Sequence, residues 1–363
     1  MKLSGWQMIC TIVTIEFVMA VWLRISPAIE ISNQDAWLSI IIGGILAAAI
    51  TFLVVRLSLL HPNQSLTVFS QKLLGKWLGR IIVLPYFTAW YILAGDVLRS
   101  FADFIHLILL NNTPVWIIML LMTGLMTYMT YSTGITGIGR FCEIAGPITI
   151  LVFIFSLILN VGNTEWHLML PVYSDSGWRN IIKASYAPAS FFGETFVLLV
   201  IVSFMQNPKK ALSTSMLSVG ITVFMVLTAT IMVLLVFGPS VSAKLRFPYF
   251  MLVRSINIFN FVQNLDIFIV FIWVFGVFAK ISFYLFITSY ELANLSKTRN
   301  WRKMIWFSVP MIFIIALLIP NESTIVVLQE LWRLIVIPVC AIGIPLLLWI
   351  VSMIKRRKPA AIS

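Results

Sequence analysis

Charge is what this 363-residue sequence lacks most: Asp, Glu, Lys and Arg make up 10% of it, where a soluble domain carries about a quarter. A solvated globular surface is thereby excluded, because 60% of the residues are hydrophobic and need lipid around them. Cysteine and histidine are scarce too, with three of each. Cys10, Cys142 and Cys340 lie in or beside apolar runs, at the spacing of neither a disulfide framework nor a metal site, and read as small buried hydrophobes. His61, His106 and His167 are scattered over connections and span ends, with no cysteine or acid at ligand spacing. Phosphate loops and nucleophile elbows are missing as well. No catalytic residue, metal or cofactor is therefore expected, and the chain does not read as an enzyme. Acidic residues number 13 against 25 basic ones, a net charge of +12. A nucleic-acid binder gathers such charge on a polar face. Here it sits in short connections between apolar runs, so the partner it implies is the bilayer and not a nucleic acid.

What is present is a series of apolar runs, each near the twenty residues that cross a hydrocarbon core: 7–29, 38–57, 81–109, 114–131, 142–161, 184–205, 212–237, 266–290, 304–320 and 333–354. The expected fold is an all-α integral membrane protein of about ten spans, one transmembrane domain over 1–363. The first run could pass for a signal peptide, but Glu16 interrupts its core and the next run follows at once, which predicts a retained span. With both termini cytoplasmic, sixteen basic residues fall inside and seven outside, leaving Arg99 and Lys280 within spans; this bias supports that orientation. Residues 62–80 mix apolar and basic positions and read as a helix along the inner surface. Residues 239–265 are apolar but too interrupted to span, and read as an outer-face helix.

Ionisable groups inside spans are costly, about 2.5–3.5 kcal/mol or more each, and so mark structure or function. Asp96, Arg99 and Asp103 share one stripe of the third run, where Arg99 can pair with either acid. Arg140 and Glu143 stand three apart near the cytoplasmic edge and read as a local pair. Lys280 has no such neighbour: Asp266 and Glu291 lie roughly 16–21 Å away along the axis at ~1.5 Å per residue. Its partner must come from another helix. Glu16 and Glu194 lie at similar mid-membrane depth, which suggests a shared polar centre. The sixth run carries Pro188, Ser190 and Gly193 in APASFFGETF, the composition of a discontinuous helix whose free backbone groups can grip a ligand. Matching the first run to the sixth gives five spans plus five, about 7–161 and 184–354, and an odd number per repeat inverts the second copy.

The whole chain resembles the B subunit of GerA-type spore germinant receptors. The resemblance rests on FPYFMLVRSINIFNFVQNLDIFIVFIWVFGVFAKISFYLF (247–286), DAW at 35–37, the LLGKWLGR segment, TP at 113–114 and GITGIGRFCEI at 134–144, in order along the chain. It implies a fold like that of amino acid–polyamine–organocation transporters, a LeuT-like 5+5 inverted repeat with helices one and six broken around a central site. The lining it implies is Glu16, Phe17, Val18 and Met19 on helix one; Tyr91 and Gly95 on helix three; Ser190, Phe191, Phe192, Gly193 and Glu194 on helix six; and Lys280 with Tyr284 on helix eight. It further implies a spore inner-membrane or cell-membrane location, a membrane-anchored A subunit and a lipoprotein C subunit as partners, and a small-molecule germinant as ligand. One departure stands out. Transporter relatives carry small residues at the helix-one break, where amides bind a substrate carboxylate; TIEFVMAVW stands here instead and favours a sugar, nucleoside or modified ligand. The leading expectation is a nutrient-sensing receptor subunit, and the alternative is a proton- or cation-coupled transporter of amino acids or other small solutes.

Overall fold

The computed structural model describes residues 1–23, 25–173, 176–256 and 266–357, and leaves the side chains of residues 18–23, 266–269, 271–272, 322 and 356–357 outside that description. The described residues are almost wholly helical, and pairing between extended segments among them is limited to one bridge, Leu3 with Met205. Helix is the expected solution in hydrocarbon, where backbone polar groups must be satisfied within their own segment. In chain order the helices are α1 (Gly5–Leu23), α2 (Ser26–Ser32), α3 (Ala36–Leu60), α4 (Leu66–Leu74), α5 (Lys76–Ile81), α6 (Leu84–Ile108) and α7 (Val115–Asn160). They continue as α8 (Gly177–Phe192), α9 (Leu198–Ile201), α10 (Ala211–Ser242), α11 (Pro248–Arg254), α12 (Asp266–Ser296), α13 (Arg302–Leu318), α14 (Glu322–Leu331) and α15 (Ile344–Arg357).

Seven helical stretches among the described residues are long and apolar enough to cross a bilayer. One contains α7, 46 residues folded at Gly134, whose φ of 60° and ψ of −154° lie outside the helical region. Glycine enters that region without a Cβ penalty, and a Cβ there would meet Met1 Sδ at 3.1 Å and the Trp301 ring at 3.2 Å. Its arms, 115–133 and 135–160, each have the length of a span. α1 and α13 have 19 and 17 residues; they are outside the seven but pack in the same bundle.

The two expected interruptions fall differently. α1 runs unbroken through Glu16–Met19 and ends at Leu23, and α2 begins at Ser26 with Pro27 in its first turn. The opening expected at Glu16–Met19 is thus corrected: that stretch is helical, and the first helix end comes at Leu23. Nothing in TIEFVMAVW opposes helix, whereas proline suits a first turn and restrains the residue before it. In the sixth run Pro188 stays inside α8, and the change comes at Gly193: a 3₁₀ segment, Gly193–Val197, then α9, then a second 3₁₀ turn, Val202–Phe204. A 3₁₀ stretch in the middle of a helix often marks a hinge or strain. A third irregular stretch, π-helical over Trp332–Gly343 around Pro338, joins α14 to α15.

Packing sorts the helices into two groups. α3 packs against α8 and α10, α1 against α10, and α2 against α8; separately, α12 packs against α7, α6 and α13, and α13 against α6. α1 bridges the groups by lying on α7 and α12. Small residues set the close approaches. A Cβ on Gly43 would stand 2.8 Å from Ala189 N and from Pro188, and one on Gly44 would stand 2.6 Å from Val223, so α3 is held tightly between α8 and α10. Gly139 and Gly146 of α7 approach Leu3 and Cys10 of the α1 segment in the same way. At the start of the chain Leu3 N donates to Phe204 O at 2.7 Å and Gln206 N donates to Leu3 O at 2.9 Å. Lys2 Nζ adds a bond to Asn63 at 3.0 Å. This clasp ties the entry of α1 to the exit of α9.

Where the amphipathic surface segment is expected, α4 and α5 meet at Gly75, whose φ is +85°. Leu66, Phe69 and Leu73 of α4 are buried, while Trp77 and Leu78 of α5 are exposed. In the expected outer-face segment, α11 buries Tyr249, Phe250 and Leu252; residues 257–265 lie outside the described residues, and the longest stretch of the resemblance crosses them.

Candidate functional site

Glu194 occupies the second position of the 3₁₀ segment that follows α8, and Lys280 stands within α12. The two meet: Lys280 Nζ lies 2.6 Å from Glu194 Oε2, with side chains 1% and 0% exposed. The partner that the sequence required from another helix is therefore the acid at the helix break. Lys280 Nζ also stands 6.0 Å from the centroid of the Tyr284 ring, one helical turn further along α12 and itself fully buried. A buried pair of this kind balances a large desolvation cost against attraction and hydrogen bonding. Its two members belong to the two packing groups, so the pair is a tie between them.

The segment carrying Glu194 is braced on three sides. Thr51 Oγ1 of α3 donates to Thr195 Oγ1 at 2.9 Å. A Cβ on Gly193 would meet Ile337 Cδ1 at 3.3 Å and Ile50 Cδ1 at 3.5 Å. Trp332 Nε1 donates to the Ser190 carbonyl at 3.4 Å. Aromatic rings close the surroundings: Phe196 packs edge-on to Tyr86 at 5.8 Å and tilted to Trp332 at 6.1 Å, and Tyr86 packs on Trp90 at 5.7 Å. Tyr86 Oη donates to Cys340 O at 2.7 Å, while the buried Trp90 Nε1 has no hydrogen-bond partner among the described atoms.

The remaining expected residues divide. Glu16 is buried, 3% exposed, on α1, which packs against both α8 and α12. Phe17 turns to α7, its ring 5.0 Å from Phe153. Val18 and Met19 are helical, and their side chains lie outside the description. Ser190, Phe191 and Phe192 are buried at the end of α8; Ser190 Oγ turns back to Ala187 O at 2.7 Å, and the two phenyl rings contact each other at 4.5 Å. Tyr91 and Gly95 both contact α13. Tyr91 Oη is 2.8 Å from Ser308 Oγ, and a Cβ on Gly95 would stand 2.5 Å from Ile315. Gly95 thus sets a helix crossing between α6 and α13.

The other charged pairs are structural. Arg99 binds both oxygens of Asp103 at 3.0 Å and donates to Pro320 O at 3.2 Å. Glu143 accepts from Gln7 Nε2 at 2.9 Å, which corrects the expected pairing with Arg140: α1 approaches closely enough at Gly139 and Gly146 to supply the donor. Two buried acids escaped sequence reasoning. Asp35, in the DAW motif, accepts from Tyr173 N at 2.9 and 3.0 Å. Glu291, fully buried, accepts from Thr67 N at 2.8 Å in the first turn of α4. Their partners are backbone amides, which no residue type announces.

Comparison with known proteins follows this geometry. The family model described as Spore_permease, spore germination protein, matches residues 2–325, and the chain belongs to that family. It is 24% identical over 355 residues to spore germination protein YndE of Bacillus subtilis (strain 168), covering 96% of each chain. It is 25% identical over 345 residues to spore germination protein XB of Bacillus anthracis, covering 91% of this chain and 92% of that one. To spore germination protein KB of Bacillus subtilis (strain 168) it is 22% identical over 282 residues, covering 77% and 75%. Among solved structures it is similar to Mhp1, a nucleobase-cation-symport-1 family transporter in a closed conformation with bromovinylhydantoin bound. The TM-score is 0.66 at 13% identity, over 99% of this chain and 80% of that one. The fold is that of the LeuT-like transporters, and the chain is a multi-pass membrane protein.

Proposed function

We propose that this chain is the membrane subunit of a spore nutrient germinant receptor and binds a small-molecule germinant at the Lys280–Glu194 pair. The observation that carries the reading is a fully buried ion pair at a helix break, tying two packing groups together in a transporter fold. A ligand bearing an ammonium, a carboxylate or several hydroxyls competes for one member of the pair and so favours a state in which the groups stand differently. It acts only through this difference in affinity between states. On this reading the two inverted repeats run over about 7–161 and 184–354, both termini are cytoplasmic, and the protein resides in the spore inner membrane. An A subunit and a lipoprotein C subunit relay the change, and no catalysis is involved. Glu16, Phe17, Val18 and Met19 of α1 and Tyr91 and Gly95 of α6 contribute from the neighbouring helices.

The test is a thermal-shift screen of the purified protein against amino acids, sugars and nucleosides. At least one class is expected to stabilise the parent and to leave the Lys280→Met/Glu194→Gln double variant unshifted. An equal shift in that variant refutes the pair as the site. Likeness to a cation symporter favours one second reading, coupled transport. Uptake of the stabilising compound into proteoliposomes holding only this chain supports transport over pure sensing; binding without uptake supports the receptor.

A further inference from the structure

A groove of about 640 Å³ lies between α3, α8 and the α14–π-helical run, within the size range of small-molecule clefts, roughly 300–1,000 Å³. Its two ends differ in chemistry. α3 and α8 run side by side in the same direction: Ser39 bonds to Ile181 O, Gly43 abuts Pro188, and Thr51 bonds to Thr195. The α14–π run descends with them, Trp332 level with Ser190 and Ile337 level with Gly193. At the upper end of this frame the lining is Lys183, Tyr186, Glu330 and Arg333; deeper in it is Leu46, Ala49, Leu53, Ile337 and Ile342. A cluster of two cations and one anion therefore stands over an apolar trough that opens sideways.

We propose that this groove binds one anionic glycerophospholipid. Its phosphate sits between Lys183 and Arg333, a headgroup hydroxyl donates to Glu330, and one acyl chain fills the trough. Lys183 is exposed and Arg333 partly exposed, so both stand at the mouth of the groove. Lysine and arginine side chains bind phosphate through charge-assisted hydrogen bonds, and the order from charge to hydrocarbon along the trough matches the order within a phospholipid. The floor of the trough is also the brace of the helix break: Ile50 and Ile337 line the groove, and they are the residues that a Cβ on Gly193 would meet. Ser190, whose carbonyl holds Trp332, lines it too. The lipid thus packs against the residues that position Glu194, and its presence stabilises the geometry of the buried pair.

The test is native mass spectrometry of the detergent-purified protein incubated with phosphatidylglycerol or phosphatidylcholine of identical acyl chains. One phosphatidylglycerol is expected to be retained in preference, and Lys183→Gln/Arg333→Gln is expected to reduce that preference by roughly tenfold or more. Ala49→Trp, at an exposed position, fills the trough and is expected to abolish retention of both lipids while leaving the protein folded. Equal retention of the two lipids by the parent, or an unchanged preference in Lys183→Gln/Arg333→Gln, overturns the proposal. So does a membrane protein that co-purifies through the groove and is lost with Ala49→Trp while lipid retention is unaffected; the groove is then a helix–helix interface.

Discussion

Glu194 and Glu291 are both fully buried carboxylates, and they are held in opposite ways. Glu194 lies on a 3₁₀ segment and is held by a lysine that reaches it from another packing group. Glu291 lies in regular helix and accepts from the Thr67 amide in the first turn of α4, beside a side-chain bond from Asn294 to Ser65 at 3.0 Å. An unsatisfied amide at a helix start needs an acceptor, and the acid that supplies it is fixed by the backbone it serves. A lysine side chain can be drawn elsewhere by a competing anion, whereas a backbone amide cannot. The first acid is placed where a ligand can compete for it, and the second where it pins a surface helix to α12.

The sharpest way to break this comparison is to remove one half of the buried pair. Lys280→Met or Glu194→Gln alone leaves a buried charge uncompensated and is expected to cost about 3–5 kcal/mol of stability, read from thermal or denaturant unfolding in detergent. The double variant is expected to recover most of that loss while remaining blind to ligand. Strictly additive losses would show that the two residues do not act as a unit. A smaller effect, about 1–3 kcal/mol, is expected for Glu291→Leu, which strands the Thr67 amide. Glu291→Gln keeps an acceptor and should recover most of it, with ligand response intact in both. Loss of response in Glu291→Gln would erase the distinction drawn here. Gly43→Leu forces α3 off α8 at Pro188 and is expected to cost about 1–3 kcal/mol through overpacking, with weakened ligand response because α8 leads into Glu194. The least effect belongs to Arg99→Ala, below about 1 kcal/mol, since the Arg99–Asp103 pair is local and partly solvated. A loss comparable to that of Lys280→Met would give this stripe a role that its geometry does not suggest.

The Lys280–Glu194 contact was legible because of a negative: no acid within reach on its own helix. Depth along the axis then left few candidates. The break of the sixth run was legible in Gly193, although Pro188 drew equal notice and remains helical. Other features were hidden for physical reasons. Helix three shows its polar positions in sequence but not the direction in which Tyr91 and Gly95 turn, which is decided by α13. The pairing of Glu143 depended on how closely α1 lies on α7, a property of two glycines acting across helices. The two apolar runs 114–131 and 142–161 did not announce that one helix, folded at Gly134, would carry both. The backbone partners of Asp35 and Glu291 depend on how distant segments come together, which no residue type records.

The clasp formed by Leu3 with Phe204 and Gln206 has a mechanical consequence. It splices the beginning of the chain onto the far side of the broken helix, so the first helix cannot be displaced at that end without pulling on the segment that carries Glu194. A load applied to the chain around Leu3 is therefore transmitted toward the buried pair through the segment between Glu194 and Phe204. A substitution at Leu3 that removes the fit of this clasp is thus expected to disturb the buried pair while leaving the protein inserted.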